Sequence, residues 1–195
     1  MTRRLLILQG HPDTGGRHFS HALADAYAAA ARDAGHEVRC VDVAALDFPL
    51  LRSRAEWDHG TLPASLLQAQ QAIAWAQHLV LFFPLWLGDM PALLKGFLEQ
   101  VARPGFAVAH EGTKPPAHKM LAGRSARVVV TMGMPALVYR WYFRAHSIRS
   151  LERNILGFVG IAPVDETLIG MVAGLQAKDA AAWLAKLGKL GARAA

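Results

Sequence analysis

A chain of 195 residues, 53% hydrophobic and 18% charged, is sized for a single domain spanning 1–195 that can bury roughly 70% of its unfolded surface, which excludes disorder for the bulk of it. Its 21 Lys+Arg against 15 Asp+Glu leave a formal charge of +6, which suits an anionic partner without choosing among nucleic acid, a phosphorylated cofactor and a membrane surface. The single Cys40 excludes an intramolecular disulfide, the apolar run at Leu5–Leu8 is too short for a secretory signal, and no apolar stretch approaches the roughly 20 residues of a membrane span; a soluble, cytoplasmic protein is expected.

Leu5-Leu6-Ile7-Leu8 is too short and too uniformly apolar for anything but a strand buried on both faces. Phe19, Ala22, Leu23, Ala26, Tyr27 and Ala30 then follow helical spacing up to Gly35, where a C-terminal glycine stops the helix. Glu37–Val41 reads as a second strand, followed by a loop through Pro49 and Gly60 and a helix carrying Leu66, Ala69, Ile73 and Ala76. Leu79–Phe83 is a third strand ended by Pro84, and the next helix buries Leu93, Leu94, Phe97 and Val101. A long loop containing Pro, Gly and His precedes a fourth strand at Ala126–Thr131, and a helix is expected over roughly Leu137 to Leu156. A weaker strand near Thr167–Ile169 and a helix with Trp183, Leu184, Leu187 and Leu190 complete five strand–helix units. Alternation of this kind implies a parallel α/β sheet covered by helices, with ligands bound outside the carboxyl ends of the strands.

Three loops therefore carry the interest. The first, Gly10-His11-Pro12-Asp13-Thr14-Gly15-Gly16-Arg17-His18-Phe19-Ser20, joins glycines, hydroxyls and basic groups to a helix N-terminus, which suits a phosphate; its alternative is a plain helix start capped by Thr14 or Ser20. It fails the G-x-G-x-x-G and P-loop patterns and lacks the acidic pair of a receiver domain, which leaves a mononucleotide phosphate. The second, Pro84 to Pro91, sets Trp86 among prolines and Gly88, as a wall for a planar ring or as core packing. The third, Thr131-Met132-Gly133-Met134-Pro135, offers backbone N–H groups to negative charge, and Tyr139 and His146, two helical turns apart, are candidate proton donors if they share a helix face.

Arg140, Arg144, Arg149 and Arg153 lie among Trp141, Tyr142 and Phe143; a solvated face or subunit contact explains them, so no nucleic-acid partner is expected. His59, His78, His110 and His118 show no metal-ligand spacing, and no metal site is expected.

Taken together the loops resemble the NAD(P)H:quinone oxidoreductase family, the DT-diaphorase-like branch of the flavodoxin-like fold. The most specific segment is Phe83-Pro84-Leu85-Trp86-Leu87-Gly88-Asp89-Met90-Pro91-Ala92-Leu93-Leu94-Lys95-Gly96-Phe97 with Glu99 behind it, supported by the first loop, by Thr131-x-Gly133 with Tyr139, and by His146. The resemblance implies a three-layer sandwich on a five-stranded parallel sheet of order 2-1-3-4-5. It implies His11, Arg17, His18, Phe19 and Ser20 on the phosphate side of a flavin, Pro84, Leu85, Trp86, Leu87 and Gly88 along its ring, and Thr131, Gly133 and Met134 at its pyrimidine edge. Tyr139 and His146 would then border the substrate. FMN is implied over FAD by the short chain, with NAD(P)H as donor, a quinone-like small molecule as acceptor, hydride transfer in a ping-pong cycle, and a homodimer. An electron carrier or a regulatory flavin-binding subunit of a membrane transporter is the alternative. Leu87 departs from the family, standing where an aromatic ring is frequent.

Overall fold

Leu5, Leu6, Ile7 and Leu8 have no polar side to turn to water, and in the computed structural model they form the heart of β1 (Arg4–Gln9), the second strand of a five-stranded parallel sheet. The structure describes residues 1–110 and 119–195; His118 and the centre of the long loop before the fourth strand lie outside the described residues. The remaining strands are β2 (Glu37–Asp42), β3 (His78–Pro84), β4 (Ser125–Thr131) and β5 (Val164–Ile169), in the spatial order β2-β1-β3-β4-β5. Register runs without a break: Ile7 lies beside Cys40 on one side and Val80 on the other, and Val80 beside Arg127.

Because side chains alternate along a strand, the apolar strands feed two cores at once. Leu6, Leu8, Leu79, Leu81, Phe83, Val128 and Val130 face a layer that contains α3 (Leu67–Trp75) and α4 (Ala92–Val101). Leu5, Ile7, Val80, Phe82 and Val129 face the opposite layer, built from α1 (Phe19–Asp33) and α8 (Ala177–Ala192). Each such side chain contributes about 1.5–3 kcal/mol of transfer free energy, which is what holds the three layers together. Gly35, with φ +84°, ends α1 where the sequence placed the stop.

Two expectations change. The loop between β2 and α3 contains a short helix, α2 (Arg54–His59), whose N-cap Ser53 accepts a hydrogen bond from the Glu56 amide at 3.1 Å. The single helix expected over Leu137–Leu156 is broken into α5 (Ala136–Trp141), α6 (His146–Ser150), a π-helical turn (Leu151–Leu156) and a final turn, α7 (Gly157–Val159). The break is a left-handed pair, Arg144 and Ala145, with φ +55° and +47°, secured by the Ala145 amide donating to the Tyr139 carbonyl at 3.0 Å. Neither residue is the glycine that usually marks such a conformation, so no sequence signal announced it.

The α1–α8 contact is close enough to test. A Cβ at Gly191 would fall 2.2 Å from the Tyr27 carbonyl oxygen, whereas one at Gly188 would meet its nearest neighbours, the Ala26 carbonyl and the Ala30 methyl, at 3.7 Å. Gly191→Ala should therefore cost about 1–3 kcal/mol in urea unfolding through forced separation of the helices. Gly188→Ala should be neutral or should stabilise by up to about 1 kcal/mol through helix propensity. Equal effects of the two substitutions would contradict this packing.

His78 provides a second test. Its ring is buried at the start of β3, with Nδ1 2.8 Å from Ser125 Oγ and Nε2 without a partner among the described residues. Burial, aided by the charges of Arg3 and Arg127 and opposed by Asp165, pulls its pKa from 6.5 down to about 4. The unfolded chain then binds this proton between those values while the folded chain does not. The contribution is complete above pH 6.5 and is lost as pH falls toward 4, on the order of 3 kcal/mol in all. His78→Asn should remove that slope from the pH dependence of unfolding; a slope identical to the wild type would refute the assignment.

Candidate functional site

The sheet order reverses direction between β1 and β3, and this brings the loops after β1, β3, β4 and β5 to one crevice. A cleft of about 430 Å³ opens there. His11, His18, Phe19 and Ser20 form one end; Pro84, Leu85 and Trp86 form a wall; Thr131, Met132 and Gly133 lie opposite; Val172 and Ala173 close the rim. A larger void, about 550 Å³, opens among Trp57, Leu62, Arg103 and His110. The Arg103 guanidinium there is taken up by the carbonyls of Glu56 (2.6 Å), Gly60 (3.1 Å) and Gln100 (3.1 Å), so it offers a ligand far less than the crevice does.

One bond to β3 and several within the first loop set its shape. The Gly10 amide donates to the Phe82 carbonyl at 2.7 Å, and the His11 amide to Gln9 Oε1 at 3.0 Å. Asp13 Oδ1 accepts from the Gly15 amide at 2.7 Å, an Asx turn that points the chain toward α1, while Asp13 Oδ2 lies 2.7 Å from His18 Nε2. These two contacts, the Gly15 amide first, hold the Asp13 carboxyl below the usual carboxylate range. The His11 and His18 rings stack with centroids 3.7 Å apart and planes inclined by 13°, and His21 lies within 6 Å of both, at 5.5 and 5.8 Å. Burial lowers the His11 pKa, and His18 and His21 lower it further against the opposing pull of Asp13 and Asp42. The N-cap of α1 is His18, rather than Thr14 or Ser20.

Two buried polar atoms beside this loop have no partner among the described residues: Ser20 Oγ, on a residue 2% exposed, and Gln9 Nε2. An orphaned hydroxyl in the first turn of a 15-residue helix, lining an open cleft, has the arrangement of a donor awaiting an anion. Along the adjoining wall Trp86 is half exposed and meets His11 edge-on at 5.9 Å, so an aromatic face borders the cleft without being consumed by the core. Backbone bonds tie the walls together: the Leu85 amide to the Thr131 carbonyl (2.8 Å), the Val172 amide to the Met132 carbonyl (3.2 Å), and the Met171 amide to the Met134 carbonyl (3.1 Å).

Not every expected residue reaches this cleft. Arg17 is turned outward into an ion pair with Asp25 on α1. Leu87 and Gly88, with φ +49° and +83°, are the central pair of a tight turn closed by reciprocal Trp86–Asp89 backbone bonds of 2.8 and 2.9 Å, which leaves Leu87 fully exposed at the tip. Met134 packs against the core, and only its carbonyl serves the site, through Met171. Tyr139 is 1% exposed, its hydroxyl enclosed beside the Ser147 hydroxyl and the Ile148 backbone; burial raises its pKa, those two neighbours oppose, and Asp89 and Glu166 add to the rise. His146 is exposed and donates from Nδ1 to the Phe143 carbonyl at 2.6 Å. The helix break at Arg144–Ala145 means that Tyr139 and His146 do not share a helix face.

Conversely, Asp13 and His21 organise the phosphate-sized end, and Val172 and Ala173 the rim, none of them expected from the sequence. The rim follows β5, an edge strand whose Val164-Asp165-Glu166-Thr167 start carries little apolar signal. Among the described residues no group of three or more His, Cys, Asp or Glu side chains could hold a metal ion, and no helix is long and apolar enough to cross a membrane.

A family described as flavodoxin-like fold, Flavodoxin_2, matches residues 3–190. The chain is 27% identical over 169 residues, 85% of its length and 82% of the relative's, to an uncharacterized NAD(P)H oxidoreductase of Haemophilus influenzae. It is 30% identical over 149 residues, 69% of its length and 72% of the relative's, to an FMN-dependent NADH:quinone oxidoreductase of Ruegeria pomeroyi. Its fold superposes on an NAD(P)H:quinone oxidoreductase of Methanothermobacter marburgensis with a TM-score of 0.80 at 23% identity, covering 99% of this chain and 97% of the other. With five parallel strands in the order 2-1-3-4-5 and a cleft at the reversal, this chain belongs to the Flavodoxin_2 family of flavodoxin-like fold, within which NAD(P)H:quinone oxidoreductases are its homologues.

Proposed function

We propose that this chain is a flavin-dependent oxidoreductase that accepts hydride from NAD(P)H and delivers it to a small, flat, quinone-like acceptor, with FMN as the resident flavin. The observation that carries the reading is the division of one 430 Å³ cleft into an anion-seeking end, with the orphaned Ser20 hydroxyl among imidazoles, and a wall of Pro84, Leu85 and Trp86 suited to a planar ring. The residues present fit such a group. Ser20, His11, His18 and the first amides of α1 would hold its phosphate, and Trp86 its ring. The backbone of Thr131–Gly133 would border its polar edge. When bound, the flavin supplies the hydride relay that no amino-acid side chain can supply. FMN rather than FAD is favoured by the FMN dependence named for the Ruegeria relative.

The chain's own contribution is to desolvate and orient. Leu85 and Thr131 lock two walls at a fixed spacing through their backbone bond, and Asp89 accepts from Ser147 Oγ at 2.5 Å, which pins the Trp86–Asp89 turn to α6. Ring orientation thus depends on a contact between the loop after β3 and the broken helix after β4. Of the two proton-donor candidates, His146 is the exposed one, its ring held by the Phe143 carbonyl, and it is assigned the proton delivered to the reduced acceptor. Tyr139, sealed from the cleft, is assigned a supporting role behind the loop.

The subunit arrangement follows from the same region. Trp141 (77% exposed) and Tyr142 (79%) stand beside exposed Leu137 and Phe143 on and just after α5, an apolar ridge that a solvated surface does not favour. A second copy of this chain is proposed to cover it, as the family resemblance implies.

The deciding experiment is the visible spectrum of the flavin-reconstituted protein before and after anaerobic addition of NADH or NADPH, with the released flavin identified by mass. Oxidised-flavin bands that bleach with nucleotide and recover with a quinone are expected; failure to bind any flavin would end the reading, and binding without turnover would leave an electron carrier. In the same assay His146→Ala should slow acceptor reduction by about a hundredfold with FMN affinity unchanged; unaltered turnover would remove His146 from the reaction.

The dimer is checked separately by light scattering at micromolar concentration. A dimeric wild type that becomes monomeric on Trp141→Glu is expected. A monomeric wild type would refute the interface.

A further inference from the structure

We propose that the adenylate half of the donor nucleotide lies along the exposed face of α6 and the π-helical turn behind it, with its phosphates on Arg149 and Arg153 and its adenine in a small cavity between α2, α4 and α7. The inference rests on the flavin reading above, since a cleft of about 430 Å³ that holds a flavin leaves most of a dinucleotide outside it.

Two contacts fix the course of this segment. At its start the Ser147 hydroxyl donates to Asp89 Oδ1 at 2.5 Å, which sets His146 beside the turn that carries Trp86. Further along, Asn154 and Ile155 share a cavity with Lys95 and Glu99, one turn into α4. The segment therefore runs from the mouth of the crevice outward along α4. Ile148 and Leu151 face the core, while His146, Arg149 and Arg153 are exposed at spacings of three and four residues, which puts them on one side of the helix. The π winding extends that side: with Leu151 and Leu156 both in the core, Glu152, Arg153 and Asn154 are turned outward in succession.

Charge and cavity then follow in the order a dinucleotide needs. Lys95 on α4 pairs with Glu99 and Arg140 on α5 with Glu166, but among the described residues Arg149 and Arg153 have no carboxylate partner, and Glu152 between them is bound to neither. Two guanidinium forks about one helical turn apart match the adjacent phosphates of a pyrophosphate. From Asn154 onward a cavity of about 140 Å³ opens, lined by Trp57, Leu98, Ile155 and Phe158 with the Asn154 amide among them. It is well below the roughly 300–1,000 Å³ of a whole-ligand pocket and suits one planar base. Phe158 is left half exposed there, an aromatic ring at the edge of solvent. Asn154 Nδ2 donates to Ser150 Oγ at 3.2 Å, which leaves its Oδ1 as an acceptor for the amino group that adenine presents.

The test uses the full chain loaded with FMN and three probes: NAD(P)H, reduced nicotinamide mononucleotide, which lacks the adenylate, and ADP, which lacks the nicotinamide. ADP should bind in calorimetry, and it should raise the NAD(P)H concentration that half-saturates flavin bleaching without changing the limiting rate. Phe158→Ala, at an exposed ring, should weaken ADP and NAD(P)H alike by about tenfold, the scale of one lost stacking contact, and leave reduced nicotinamide mononucleotide unchanged. The double variant Arg149→Gln, Arg153→Gln should weaken ADP and NAD(P)H by about five- to tenfold and flatten the salt dependence of both. FMN affinity should be unchanged in every variant. ADP that neither binds nor competes, or a Phe158→Ala variant that treats NAD(P)H and reduced nicotinamide mononucleotide alike, overturns the subsite, while bleaching of the bound flavin keeps the flavin reading intact. Arginine variants that turn a dimeric wild type monomeric assign Arg149 and Arg153 to the subunit contact and overturn it as well. A chain that binds no flavin removes the flavin reading and this placement of the donor together.

Discussion

Strands buried on both faces are the constraint on which this molecule rests. β1, β3 and β4 present apolar side chains alternately to two helical layers, so each strand must be parallel to its neighbour and each return must cross the sheet through a helix. Right-handed crossings on both sides then require the strand order to reverse somewhere, and it reverses between β1 and β3. The crevice at that reversal is a consequence of core burial, and the loops that end there had no other place to converge.

What fills the crevice shows how little the core dictates beyond position. The loop after β1 is shaped by its own side chains: Gln9 and Asp13 each accept backbone amides, and His11 and His21 accept from the backbone as well. The loop after β3 gets its form from a positive-φ Leu87–Gly88 pair and from the Asp89 bond to Ser147. A leucine in the left-handed region costs about 1–2 kcal/mol, and the turn keeps it because the flanking backbone bonds and the anchor on α6 determine the chain's path. The site is consequently a set of locally determined loops bound to one another by a handful of cross-links, and a rim cross-link such as that from Val172 to Met132 bears on the geometry of the whole.

The two polar orphans, Ser20 Oγ and Gln9 Nε2, sit at the meeting point of these tendencies. Burying a hydroxyl without a partner costs about 1–3 kcal/mol, and at Ser20 an anion in the cleft would offset that cost. The Tyr139 hydroxyl lies a short way behind the loop after β4, sealed from the cleft beside Ser147 and Ile148, where burial keeps its proton in place. The contrast separates a polar atom aimed at a ligand from one held within the scaffold.

The sequence by itself determined the layer architecture, because apolar periodicity is a direct statement about which faces are dry: Leu5–Leu8, Leu79–Phe83 and Ala126–Thr131 could be read as doubly buried strands, and the strand ends then located the three loops. It also named most of the cleft, from His11, His18 and Ser20 to Trp86 and Gly133, since those residue types cluster at strand ends. Direction and partnership belonged to the tertiary structure. That Arg17 turns to Asp25 while His18 turns to Asp13 depends on the course of the loop between them. The separation of Tyr139 from His146 depends on two non-glycine residues adopting the left-handed conformation, which a packed neighbour can enforce and a propensity cannot foretell. The rim at Val172 and Ala173 exists because β5 is registered beside β4 from Ala126–Val164 to Thr131–Ile169, a fact of strand pairing with no local signature.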